Sequence, residues 1–144
     1  MKEQSYANHT RYQPLQHFVW LPLSLLLLIG TVVYAIMSFI NDGFSFQLLL
    51  LIGVVILAII PGMLARMYAL TLQDRLIQNE ERFRYYMLTG KALDSRLSKG
   101  QLIALRFASD DEFVELANRA VEENLSPDDI KNSIKVWRPD HHRV

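Results

Sequence analysis

The stretch LLLLIGVVILAIIPGMLARMYALTLQDRLIQNEERFRYYM, from Leu48 to Met87, passes from an uncharged apolar run into a charged amphipathic pattern without an obvious break. Its 40 positions would span roughly 60 Å if fully helical. About half of that length matches a bilayer core, and the rest must stand in water. The expected fold is an all-α membrane protein. A two-helix transmembrane hairpin has its second helix extended into a cytosolic stalk, and a small helical head follows.

Of the 144 residues, 51% are hydrophobic, and they concentrate in residues 18–65. Too little chain lies outside that region for a large core. Fifteen basic residues balance 15 acidic ones, which gives no support for a general polyanion-binding surface. The absence of cysteine excludes disulfides, thiolate metal sites and cysteine nucleophiles.

Four segments follow from the pattern: a lead-in over 1–17, a hairpin over 18–66, a stalk over 67–90, and a head with its tail over 91–144. Gln13-Pro14 is a plausible helix start, since proline suits the first turn. The first span, 18–40, carries no charged side chain, and Pro22 near its start is expected to bend it. Ser24, Thr31 and Ser38 recur every seven residues beside Ala35, a stripe that lets another helix approach closely. A cleavable signal peptide ending near Val33-Tyr34-Ala35 is the competing interpretation, but the apolar run is too long for it. Asn41-Asp42-Gly43 breaks the helix before the second span, 46–66. The turn has no lysine or arginine, whereas Lys2 and Arg11 precede the first span and Arg66, Arg75, Arg82 and Arg84 follow the second. The positive-inside rule then puts both termini in the cytosol.

Pro61-Gly62 predicts a kink near the end of the second span. Ala58 with Gly62 and Ala65 with Ala69 are small-residue pairs that favour tight packing, against the hairpin mate or another copy. Beyond them, Ala65, Ala69, Leu72, Leu76, Asn79, Phe83 and Tyr86 form a heptad seam of about three repeats. Glu80 and Arg84 have the spacing of an i,i+4 ion pair. Because the repeat is short, packing of Leu72, Leu76 and Phe83 on the chain's own head is favoured over an intermolecular coiled coil. Thr89-Gly90 ends the helix.

The head reads as three short helices. Ser98 with Gln101 and Ser109 with Glu112 are capping-box patterns. Phe113, Leu116, Ala117, Ala120 and Val121 share the face of the second of these helices. Ser126-Pro127-Asp128-Asp129 starts the third, on which Ile130, Ile134 and Trp137 are expected to align.

Catalytic signals are weak. There is no phosphate-binding glycine loop, nucleophile elbow or paired-histidine zinc motif. His141-His142 suits a solvated tail better than a metal site, and His9 and His17 suit the membrane edge. Asp110-Asp111-Glu112 and Asp128-Asp129 fall in first helical turns, where the helix dipole accounts for them. Arg106 interrupts an apolar run and needs a partner: an internal ion pair is preferred, with partner recognition as the alternative. From Lys91 to Arg138 eight basic residues stand against nine acidic ones, which argues against nucleic-acid binding. No catalytic, cofactor-binding or metal-ligating residue is assigned, and no cofactor is expected.

YANHTRYQPLQHF, LTLQDRLIQNEERFR, QLIALRFASDDE and IKVWRPDHHRV together resemble a bacterial family of uncharacterised two-span membrane proteins, a domain of unknown function. The resemblance covers nearly the whole chain. It implies a multi-pass protein of the bacterial inner membrane and carries over no activity. Some family members are labelled transporter permeases, a label these two short spans do not support. The function expected is a non-enzymatic scaffold or adaptor, its partners being the bilayer and a protein or a second copy. The alternative is a small oligomeric channel or transporter component lined by Ser24, Thr31 and Ser38, although neither span carries a charge in its middle.

Overall fold

The computed structural model describes Tyr6, residues 12–41 and residues 43–140. Lys2, His9, Arg11, Asp42, His141 and His142 lie outside the described residues. The described chain is helical, with five α-helices and no strand: α1 Leu21–Asn41, α2 Phe46–Thr89, α3 Lys99–Leu105, α4 Asp110–Glu122 and α5 Pro127–Ser133. It divides into two compact units, one over Tyr12–Ala69 and one containing Leu70–Val144.

In the first unit, Pro14 stands at the start of the helical backbone, and Leu15–Trp20 wind as a wide π-helical turn before α1. Pro22 lacks an N–H and crowds the Phe18 carbonyl, and the wider turn falls at this point. Gly43 adopts a positive φ of 80° in the turn. Ser45 then caps α2, its hydroxyl accepting from the Leu48 N–H at 3.2 Å. Helix α2 runs 44 residues and continues through Pro61.

Burial along each helix of the hairpin follows a heptad interval. Thr31 and Ser38 on α1 are buried and Ser24 is half-buried; Leu48 and Val55 on α2 are buried and Gly62 is half-buried. Each set recurs at intervals of seven residues. Thr31 Oγ1 donates to the Leu27 carbonyl at 2.7 Å, which satisfies its hydroxyl within α1. The Gly62 backbone abuts the Trp20 indole so closely that a Cβ would overlap the ring. Gly62 therefore packs on the hairpin mate, whereas Ala58 and Ala65 are exposed and Ala69 is half-buried. Most other apolar side chains of the hairpin face outward, among them Leu26, Phe39, Val54 and Leu57. Two helical segments, Leu15–Asn41 and Phe46–Thr89, are long and apolar enough to cross a membrane.

The second unit packs α3, α4 and α5 with the distal part of α2. Leu102, Leu105, Phe107, Phe113 and Ile130 are fully buried, and Tyr85 joins their cluster from α2. Gly90, at φ 67°, closes α2 through its N–H to the Tyr86 carbonyl at 2.7 Å. Ser98 and Ser126 form reciprocal capping boxes with Gln101 and Asp129.

Three expectations for this unit are corrected. The head does not dock on Leu72, Leu76 and Phe83, all of which are exposed; Ile77, Glu81 and Tyr85 are the buried positions of distal α2. Ser109 precedes α4 without a side-chain cap, and the reciprocal half of the box is lost because the Glu112 carboxylate accepts instead from the Lys135 and Val136 N–H groups, each at 3.1 Å. Helix α5 stops at Ser133, so Trp137 is not helical; it pairs as an isolated antiparallel bridge with Ala108, its ring 4.9 Å from that of Phe107. Extended backbone at Ile134 lets the Arg138 N–H reach the Phe107 carbonyl at 2.7 Å and the Ser109 N–H reach the Val136 carbonyl at 3.2 Å, bonds a continued helix would not make.

Gly62→Leu is expected to push the Trp20 ring out of its seat and destabilise the hairpin by about 1–3 kcal/mol, the usual range for overpacking. Trp20 fluorescence in a Trp137→Phe background, followed during thermal unfolding in detergent, checks this.

Candidate functional site

Helix α2 turns one face to the head, and the polar centre of that face is Arg84. Its Nη1 donates to Glu81 Oε2 at 3.0 Å, its Nε to Asp110 Oδ1 at 2.7 Å, and its Nη2 to the Ala108 carbonyl at 2.7 Å. The guanidinium also lies 4.3 Å from the centroid of the Phe113 ring. One side chain thus ties α2 to the start of α4 and to the loop before it. Glu80 does not form the expected pair with Arg84, which turns to Glu81 and Asp110. Near it, Tyr85 donates to Asn118 at 3.2 Å and Lys99 pairs with Asp74 at 2.8 Å.

Glu81 is buried, and desolvation raises its pKa above the ordinary 4.5 despite the opposing charge and hydrogen bond of Arg84. The native state therefore binds this proton more tightly than the unfolded chain does. Its contribution to stability is fully present below the unfolded pKa and is lost as pH rises through the folded one.

Arg106 is buried at the end of α3. Its Nε lies 3.2 Å from Asp140 Oδ2, and its guanidinium sits 4.5 Å from the centroid of the Phe107 ring. The acidic run at the start of α4 is put to structural use, with Asp110 on Arg84 and Glu112 on the backbone of the Trp137 segment. Gln101 is likewise occupied: its side-chain amide donates to the Ala120 and Leu125 carbonyls. Among the described residues no group of three or more His, Asp or Glu could hold a metal ion.

A cleft of about 660 Å³ opens in this unit between α2 and the segment after α5. Leu76, Glu80 and Phe83 line one side, and Arg106, Arg138, Pro139 and Asp140 the other. Its lining mixes buried charged groups of both signs, Glu81 and Arg106 among them, with the exposed apolar side chains of Leu76 and Phe83.

Sequence reasoning missed Glu81, Arg84 and Asp110 as a joint. The signal was present in the phase of α2, because Ile77, Glu81 and Tyr85 repeat at four-residue spacing on the side opposite the seam. The seam residues Leu72, Leu76, Phe83 and Tyr86 are all more than half exposed. Ser24, Thr31, Ser38 and Gly62 belong to the hairpin unit and are not among the cleft's lining residues.

These features define an all-helical protein with two long apolar helices, the second of which contributes to a small helical unit. The chain belongs to a family of unknown function (DUF6526), whose profile matches residues 1–144. No curated protein and no solved structure matches it.

Arg84→Ala leaves the buried Glu81 without its cation and is expected to cost roughly 3–5 kcal/mol. Glu81→Gln should instead flatten the fall in stability that accompanies rising pH above 4.5. Thermal melts of the full chain in detergent, taken from below pH 4.5 upward through the range in which the raised carboxyl loses its proton, check both outcomes.

Proposed function

We propose that the protein is a membrane-anchored scaffold or adaptor, not an enzyme, in which the hairpin holds a cytosolic helical unit that binds a protein partner. The observation that carries this reading is the face of distal α2 bearing Leu72, Leu76, Phe83 and Tyr86, which the head leaves exposed next to a cleft of mixed charge. Apolar side chains grouped on an exposed helix face are characteristic of interaction surfaces.

Membrane anchoring is supported by the outward-facing apolar side chains of the hairpin. Only 6% and 11% of the most apolar windows of its helices are buried, which is unlike the core helices of a water-soluble domain. The proposed orientation, in the bacterial inner membrane with both termini cytoplasmic, is supported by the turn's lack of lysine and arginine and by the arginines after the second span. The channel reading loses support, because Thr31 and Ser38, its expected lining, are covered within the hairpin.

Single cysteines in this cysteine-free chain test the topology. Phe44→Cys should react with an impermeant maleimide from outside intact cells, and Val136→Cys only after permeabilisation. Purified protein in liposomes should conduct no ions, and a photo-crosslinking residue at Phe83 should capture protein in native membranes. Reproducible ion or solute flux without a partner would overturn the adaptor reading.

A further inference from the structure

We propose that the exposed face of distal α2 binds a second copy of the same chain as a short, parallel, two-stranded coiled coil. The inference rests on the reading of this face as a protein-docking surface and names what docks there. Arg84, Glu81 and Tyr85 hold the head on the opposite side of α2, so the seam is open along Leu72, Leu76, Asn79, Phe83 and Tyr86. Leu76 and Phe83 occupy one core position of the heptad, and Leu72, Asn79 and Tyr86 the other.

The flanking charges select the partner and its direction. Arg75 precedes the core position of Leu76, and Glu80 follows that of Asn79; both are exposed. In a parallel pair these flanking positions meet across the interface five residues apart, which sets Arg75 of one copy against Glu80 of the other, twice by symmetry. An antiparallel pair would bring Arg75 opposite Arg82 at both ends. Asn79 gives the same answer. Parallel and in register, it meets the Asn79 amide of the other copy, whereas antiparallel it would face the apolar Leu76 without a polar partner.

Three heptads are too few for a strong coiled coil in dilute solution. Two copies anchored in one membrane meet at a high effective concentration and already point the same way. The cleft beside Leu76, Glu80 and Phe83 leaves room for the flank of the second helix.

The test uses full-length protein in its native membrane, with single cysteines at Leu76→Cys, Phe83→Cys or, on another face of α2, Gln78→Cys. Mild oxidation should yield disulfide-linked homodimers at the first two positions and not at the third. Arg75→Glu should slow the Leu76→Cys cross-link roughly fivefold, since two exposed ion pairs are worth about 1 kcal/mol together. Adding Glu80→Arg to that variant should restore the rate. Equal rates at all three positions, or linkage of Leu72→Cys to Phe83→Cys in mixed membranes with none at Leu76→Cys, would overturn the parallel pairing. If a photo-crosslinker at Phe83 gives adducts only with a different protein, self-pairing falls and the adaptor reading stands. No protein adduct at all would remove both.

Discussion

The distal unit depends on one guanidinium. Arg84 supplies donors to a buried carboxylate, an exposed carboxylate and a backbone carbonyl while its face covers an aromatic ring. Only a planar fork of donors can serve those directions at once; a lysine would bring the charge without the geometry. Glu81 could not be taken out of water at this interface without such a partner, and the rise in its pKa records what desolvation still costs. Hydrophobic contact has no direction of its own. The polar joint therefore sets the rotational phase of α2 against the head, with Tyr85 and Ile77 carried inward beside it.

Once that phase is set, the other face of the helix follows. Leu72, Leu76, Phe83 and Tyr86 stay outside because the head has taken the face that carries Glu81. A helix with one apolar stripe has one place to put it, whereas distal α2 has two stripes and one head. The surplus stripe arises from competition between two faces for one partner.

In the hairpin the same kind of choice is made with small groups. Thr31 turns its hydroxyl back to Leu27 and presents a compact surface, and Gly62 leaves the space that Trp20 fills. The heptad interval of Ser24, Thr31 and Ser38 was visible in the chain. The covered line through Leu48, Val55 and Gly62 on α2 was not, because leucine and valine in an apolar run look alike on every face.

The sequence by itself determined the elements: two long apolar helices, the break at residues 41–43, the stop at Gly90, and the capped starts at Ser98 and Ser126. Those features are local, written in hydropathy, in backbone freedom and in side chains that reach their own helix ends. Only the tertiary structure decided which stripe of α2 the head covers, that Arg84 serves Asp110 in preference to Glu80, and that the chain leaves α5 early to pair Trp137 with Ala108. Each of these is a contest between residues distant in sequence. The outcome turned on desolvation of a carboxylate and on satisfying backbone groups at the core's edge, neither of which periodicity encodes.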